Sequence, residues 1–287
     1  MTEEPKAQSI NSDDKLAAKA LAVGGDNYYS YWDKWSKKYD IVTTIMYLPF
    51  GGERRFRRSF VKFGNLRSDD KVLDLCAGTG SVTREISNIL GEGGCVTALD
   101  LSPHMLAKAQ EKVEKKVGKG NADFVCASAD ELPFADQTFD KVFVSYGLHE
   151  LPDEIRRATL KEVWRVLKSG GSFVILDYNK AKNPIMRLGI NIFVKWREEK
   201  SAWRMLCNNP LPAELKQAGF ESVGDKYPVG GVFRFFHLQK LLSASGIMPE
   251  MDIKTIYACD NRSCKECGER ICVYSREDIK HKSNIKE

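Results

Sequence analysis

Residues 72–83 read VLDLCAGTGSVT, and this stretch decides the fold. The apolar residues Val72, Leu73 and Leu75, with Asp74 near the end of the run, lead into Gly78-Thr79-Gly80, after which Val82, Ile86 and Ile89 recur at helical spacing. The pattern is that of a strand, a glycine turn and a helix. A dinucleotide-binding fingerprint requires a third glycine three residues after Gly80, and that position holds Thr83. Asp74 also puts a negative charge where a pyrophosphate would lie, which suits a cationic or hydroxyl-bearing ligand instead.

Working outward, residues 71–76, 95–101, 122–128, 141–147 and 172–178 are short apolar runs of strand composition. Helical patterns separate them, from Val82 to Leu90, Pro103 to Val117 and Pro152 to Leu167, the last followed by the stop signal KSGGS. Such alternation predicts an α/β fold with a parallel sheet wound by right-handed crossovers, and a functional crevice at the carboxyl ends of its strands. After Tyr178 the order changes. Residues 183–209 are amphipathic and helical in pattern, residues 211–220 form another helix ending at Gly219, and residues 221–229 and 231–241 are strand candidates whose VGG connection suits an antiparallel pair.

Composition bounds the rest. With 287 residues, 43% hydrophobic and 29% charged, the chain has the balance of a soluble globular protein with one main core. Its opening, MTEEPKAQSINSDDK, lacks the layout of a signal peptide, and no apolar run approaches the roughly 18 residues that span a bilayer, so a cytoplasmic location is expected. The net charge of +5, without clustered aromatic and basic modules, argues against a nucleic-acid partner. The expected organisation is a flexible tail over 1–25, an aromatic helical cap over 26–65, the principal domain over 66–245 and a cysteine-rich extension over 246–287. The cap region holds Tyr28, Tyr29, Tyr31, Trp32, Trp35, Tyr39, Tyr47 and Phe50, enough aromatic surface to cover a core or to close over a pocket.

Polar groups fall at the strand ends in order. Asp74 closes the first strand; Asp100 closes the second, where a carboxylate can accept both ribose hydroxyls of an adenosine. Asp130 follows the third strand, placed for an exocyclic amine with Leu132 beside it to cover a ring, and Tyr146, Gly147, His149 and Glu150 follow the fourth. Taken singly, each has a bland explanation as a turn, a helix cap or a partly buried helix-start residue. Their order is the specific signal.

The segments VLDLCAGTGSVTREI, VTALDLSPHMLAKAQEKV, ADELPFADQTFDKVFVSYGLHEL and LKEVWRVLKSGGSFVILDY resemble the successive motifs of class I S-adenosylmethionine-dependent methyltransferases, most of all the ubiquinone/menaquinone C-methyltransferase group. The likeness spans roughly residues 35 to 240. It implies a Rossmann-like, doubly wound, mostly parallel seven-stranded sheet with an antiparallel last strand. It also implies S-adenosylmethionine as cofactor, with Asp74, Ala77, Gly78 and Gly80 around the methionine part and Asp100 and Leu101 at the ribose and adenine. Met105 would lie beneath the adenine, and Asp130, Glu131 and Leu132 beyond it. Tyr39 and Tyr146 complete the implied cofactor set, Tyr39 as the aromatic that closes over it. Cys76 departs from the family's small residue or first glycine of the loop.

Methyl transfer asks the protein to position an acceptor, exclude water and, for a phenol or quinol, remove a proton. His149 has the suitable titration range, with Tyr146, Tyr178 and Glu150 as further candidates. Arg54, Arg55, Arg57 and Arg58 form a cluster that reads either as a solvated face or as a site for lipid headgroups or an anionic substrate. With the apolar residues Ile185, Met186, Leu188, Ile190, Ile192, Phe193 and Trp196, it suits a small lipophilic acceptor such as a quinol precursor and a peripheral contact with a membrane surface. Phospholipid amine methylation and thiol or arsenite methylation are the rivals within the class; a non-catalytic adenosylmethionine-binding regulator with a metal- or redox-sensing tail is the rival outside it.

That tail carries Cys259, Cys264, Cys267 and Cys272 at C-x4-C-x2-C-x4-C spacing. Four thiols within fourteen residues suit zinc or an iron–sulfur centre, although the usual zinc layout has two separated C-x2-C pairs. A redox pair and unligated cysteines stay open beside that reading.

Overall fold

The structure, a computed structural model, describes residues 40–45, 47–117, 121–197 and 200–240. Seven strands make one sheet: β1 (Lys71–Leu75), β2 (Cys95–Asp100), β3 (Ala122–Cys126), β4 (Phe139–Ser145), β5 (Leu167–Tyr178), β6 (Phe220–Lys226) and β7 (Phe233–Lys240). Their spatial order is β3-β2-β1-β4-β5-β7-β6. The pairs β3–β2, β2–β1, β1–β4 and β4–β5 are parallel, and β7 runs antiparallel to both neighbours. This is the expected mostly parallel sheet with an antiparallel last strand.

Helices α1 (Glu53–Phe63), α2 (Ser81–Ser87), α3 (Pro103–Val117), α4 (Asp153–Val166), α5 (Pro184–Arg197), α6 (Lys200–Asn208) and α7 (Leu211–Gln217) complete the elements used below. The central strands are apolar on both faces because both are covered. On one side Leu73, Leu75, Val142, Val144, Phe173 and Ile175 pack with Leu160 and Val163 of α4 and Leu215 of α7. On the other, Val72, Phe143, Val174 and Phe235 pack with Phe60 and Val61 of α1 and Ile86 of α2. A buried ion pair joins α4 to α7, Arg156 donating to Glu214 through Nε at 2.7 Å and Nη2 at 2.8 Å.

One expectation is corrected and one is refined. The KSGGS stretch does not separate α4 from the next strand, because β5 already begins at Leu167, which pairs with Phe139. Gly170 at φ 73° turns the chain within the strand, and regular pairing resumes at Ser172 opposite Lys141. The arginine cluster divides: Arg54, Arg55 and Arg58 are exposed, as on a solvated face, and Arg57 is not. Arg54 and Arg58 both donate to the buried carboxylate of Glu85 on α2, at 3.3 and 3.0 Å, and Arg57 turns inward and is buried. A buried carboxylate needs such partners, since ionised groups are costly away from water.

Candidate functional site

The loop after β1 owes its shape to backbone conformations that favour glycine: Cys76, Gly78 and Gly80 all have positive φ, at 55°, 54° and 73°. Gly80 supplies the close approach expected of the missing third glycine. A Cβ there would lie 2.7 Å from the Cβ of Ala109 on α3, so only glycine lets loop and helix meet. Gly78 faces open space. Thr83, at the position the dinucleotide pattern reserves for glycine, donates its hydroxyl to Asp74 at 2.6 Å.

A cavity of about 30 Å³ lies over this loop, and its lining includes Arg57, Asp74, Gly78, Thr79, Ser81 and Ser145. Asp74 is almost wholly buried, and burial raises its pKa to about 7 despite the Thr83 hydroxyl. Arg57 donates to the Ser145 hydroxyl and faces Glu53 at 3.5 Å. One cation and one carboxylate in a single cleft match the carboxylate and ammonium of an amino acid. The residues present therefore fit the methionine part of S-adenosylmethionine.

Asp100, at the end of β2, ties two loops together. Its Oδ2 accepts from the Gly78 amide at 2.8 Å and its Oδ1 from the Ser102 amide at 2.9 Å. Burial raises its pKa as well, while those amides oppose the shift. Met105 is buried at the start of α3, and Leu101 is half-buried beside Asp100. After β3 the Ser128 hydroxyl donates to Asp130, Leu132 is buried in the core, and Glu131 is exposed. The strand-end acids thus stand along one edge of the sheet, as their order in the chain implied.

The third group lies beyond β4. Tyr146 has φ 59°, a strained conformation for a bulky residue, and Gly147 follows so closely packed that a Cβ there would lie 2.6 Å from the Cβ of Cys76. The glycine loop and the β4 turn are therefore in contact. Burial, then Asp100 and Asp74, push the Cys76 thiol far up, so it stays protonated and unreactive. The rings of Tyr146 and Tyr178 lie 5.3 Å apart, and that of His149 lies 4.9 Å from Tyr178. Phe233 and Tyr47 extend this aromatic wall. Burial alone would lower the pKa of His149, but Asp177 holds it well above its usual value. The Asp177 carboxylate meets His149 Nδ1 at 2.7 Å, and Glu150 lies 3.6 Å from Nε2.

Sequence reasoning did not single out Asp177, in an apolar strand, or Asp40, beside the aromatic Tyr39, and it named Arg57 only as one of a run of arginines. Asp40 accepts from Thr79 of the glycine loop at 2.6 Å and from Lys112 of α3 at 2.8 Å, joining the helical residues 40–45 to that loop. Tyr39 and the four cysteines Cys259, Cys264, Cys267 and Cys272 lie outside the described residues. Among the described residues no cluster of metal-ligating side chains occurs.

Comparison with known proteins agrees with this geometry. Residues 25–198 match the ubiE/COQ5 methyltransferase family. The chain is 40% identical over 150 residues to the ubiquinone/menaquinone biosynthesis C-methyltransferase UbiE of Shewanella piezotolerans, covering 52% of this chain and 58% of that one. The first relatives are thus matched over less than two thirds of their length. The UbiE of Cronobacter sakazakii is matched further, 37% identical over 212 residues that make up 68% of this chain and 83% of that one. Among solved structures, a SAM-dependent methyltransferase from Aquifex aeolicus aligns with a TM-score of 0.53 at 23% identity, covering 64% of this chain and 89% of that one. The [4+2]-cyclase SpnF aligns with a TM-score of 0.55 at 17% identity, covering 74% and 97%. At such identities the likeness concerns the fold, and the second case shows that the fold alone does not dictate methyl transfer.

Proposed function

Because the chain belongs to the ubiE/COQ5 methyltransferase family, we propose that it transfers the methyl group of S-adenosylmethionine to a small lipophilic acceptor, a quinol-type ring carbon first. When bound, the cofactor supplies an activated methyl carbon and a neutral leaving group. The rest falls to the chain. Arg57 and Asp74 hold the amino-acid part, Asp100 the ribose, and Asp130 with Met105 the adenine. Tyr47, Tyr146, Tyr178 and Phe233 offer an apolar wall for a flat acceptor and keep water from the reacting carbon. His149 takes the proton of the acceptor hydroxyl, which raises electron density at the ring.

The observation that carries this reading is the grouping of His149 and Tyr146, in the turn that touches the glycine loop, with Tyr178 at the end of β5. A thiolate or arsenite acceptor would need neither an aromatic wall nor a base. The decisive experiment supplies the protein with tritiated-methyl cofactor and compares a lipid extract with an aqueous metabolite extract. Label in a quinone-type ring of the lipid fraction supports the proposal, label in a phospholipid amine favours the phospholipid reading, and label in the aqueous fraction favours the thiol reading. Label in neither, with calorimetric binding of the cofactor intact, favours a non-catalytic binding protein. His149→Ala should lower turnover while leaving cofactor affinity nearly unchanged.

The same reading includes a working position at an anionic lipid surface. On α5, Ile185, Leu188 and Ile192 are 79%, 61% and 60% exposed along one helical stripe. Residues 180–197 carry five lysines and arginines and no acid. An apolar stripe among basic side chains complements an anionic bilayer. Among the described residues no helix is long and apolar enough to cross a membrane. Cosedimentation with phosphatidylglycerol vesicles but not phosphatidylcholine vesicles, lost in Leu188→Glu, is the expected result; equal partition to both overturns this part of the reading.

A further inference from the structure

Asp177 is the penultimate residue of β5, carries no charge partner on its own strand, and sits 2% exposed where an isolated carboxylate is costly. Its Oδ1 accepts from the Tyr178 amide at 2.7 Å and meets His149 Nδ1 at 2.7 Å. Its Oδ2 is buried with no hydrogen-bond partner among the described residues. A carboxylate held so poorly by everything else gains most from a donor at Nδ1, so the imidazole is fixed with its Nδ1 proton towards Asp177. That leaves Nε2 as the nitrogen that exchanges protons.

We propose that Asp177 is the positioning residue of the acceptor site, holding His149 in the tautomer and orientation in which Nε2 receives the proton of the acceptor hydroxyl. The proposal rests on the reading of His149 given above. In the step, the O–H bond breaks, its electron pair stays on oxygen as an aryloxide, and the proton bonds to the lone pair of Nε2. The imidazolium so formed lies between two carboxylates. Glu150, 3.6 Å from Nε2 and partly exposed, is placed to pass the proton on to water.

The described titratable groups around His149 are few. Asp177 comes from β5, Glu150 from the same turn, and the phenols Tyr146 and Tyr178 from the ends of β4 and β5. Cys76 lies behind Gly147, and α6 packs on the turn. The two carboxylates dominate, and both favour the protonated ring. The neutral, proton-accepting form of His149 therefore gains population as pH rises.

Asp177→Asn tests this, because the amide oxygen still accepts from Nδ1 while the charge is gone. The first measurement is nitrogen NMR of the side chains of the four histidines, with His149 assigned by its loss in His149→Ala. The expected wild-type result is protonated Nδ1, titration at Nε2, and a midpoint well above that of an ordinary histidine. In Asp177→Asn the midpoint falls by about one unit or more, the size of shift one adjacent charge commonly causes. The second measurement is the pH dependence of kcat/KM with a short-chain prenylated naphthoquinol as probe; its acid limb should move down with the NMR midpoint. An unchanged midpoint in a folded Asp177→Asn protein overturns the proposal. A probe that accepts no methyl group from wild-type protein counts against the acceptor reading instead, and the NMR result still decides the role of Asp177.

Discussion

Tyr47 and Tyr146, ninety-nine residues apart in the chain, share a hydroxyl-to-hydroxyl hydrogen bond of 2.5 Å in the protein interior. Arg57 stacks over both rings, its Cζ 5.6 Å from the centroid of Tyr47 and 5.0 Å from that of Tyr146. Burial raises the pKa of Tyr47 to about 12 and that of Tyr146 well above the ordinary phenol, so both stay neutral and the bond persists across physiological pH. The segment before α1 is thereby fastened to the strained turn that carries the proposed acceptor site. Tyr47→Phe should cost about 1–3 kcal/mol by stranding the other hydroxyl, and Tyr146→Phe about the same. The double variant should lose clearly less than the sum, because the second change strands nothing. Urea unfolding of the three variants checks this, and additive losses would mean that the two hydroxyls do not depend on each other.

Asp74 is a place where stability yields to ligand binding. Its pKa in the folded protein is about 7, above the value of 3.8 for a free aspartate, because burial disfavours the charged form. Between those two values the folded state binds more proton than the unfolded state, so stability falls as pH rises through the window. Three pKa units amount to about 4 kcal/mol at most. Asp74→Asn should therefore raise Tm at pH 8 and lose most of that advantage at pH 4, as read by calorimetry. It should at the same time weaken cofactor binding about tenfold or more, since the ammonium loses its counter-charge. A Tm difference independent of pH would sink the argument.

Cys76 and Gly147 are fitted to each other. The Gly147 backbone, with φ −92° and ψ −37°, would accept alanine without strain, but the added Cβ would lie 2.6 Å from the Cβ of Cys76. Gly147→Ala should cost about 1–3 kcal/mol through overpacking. In a Cys76→Gly background most of that cost should vanish, and the change at residue 76 also relieves a side chain held at φ 55°. Denaturant titration of the four proteins gives the coupling energy; a value near zero would mean that the loop moves aside freely.

Much of this was legible in the chain because it is local. Strand, turn and helix follow one another within residues 71–87, and an acid at a strand end needs only its own strand to be placed. Cys76 could be flagged, yet its inertness depends on burial against Gly147, which no local pattern reveals. Arg57 and Asp177 were illegible for a different reason. The Arg57 partner Ser145 lies 88 residues away, and nothing in the run RRFRR says which guanidinium turns inward; that is decided by the groove between α1 and the sheet. Asp177 and His149 are 28 residues apart and meet because β4 and β5 are parallel neighbours whose carboxyl ends share one edge. The early start of β5 was missed because KSGGS carries the usual marks of a turn. It does turn, but within the strand, where glycine at positive φ lets pairing resume.

Asp100 carries two duties that mutation can separate. Its two oxygens each hold a backbone amide, Gly78 on one side and Ser102 on the other, so part of any loss on mutation comes from loops set free. The remaining lone pairs are those proposed to accept the ribose hydroxyls. Asp100→Ala should weaken adenosylhomocysteine binding about tenfold or more, since hydrogen bonds to a charged group are worth roughly 1.5–3 kcal/mol. Loop disorder alone would weaken every adenosine ligand by the same factor. A ribose contact predicts something different: the 2′,3′-dideoxy analogue, already lacking the hydroxyls, should lose much less affinity on mutation than the parent compound. Calorimetric titration of both ligands against both proteins closes the cycle. Equal losses would leave Asp100 as a loop fastener and remove it from the ribose site.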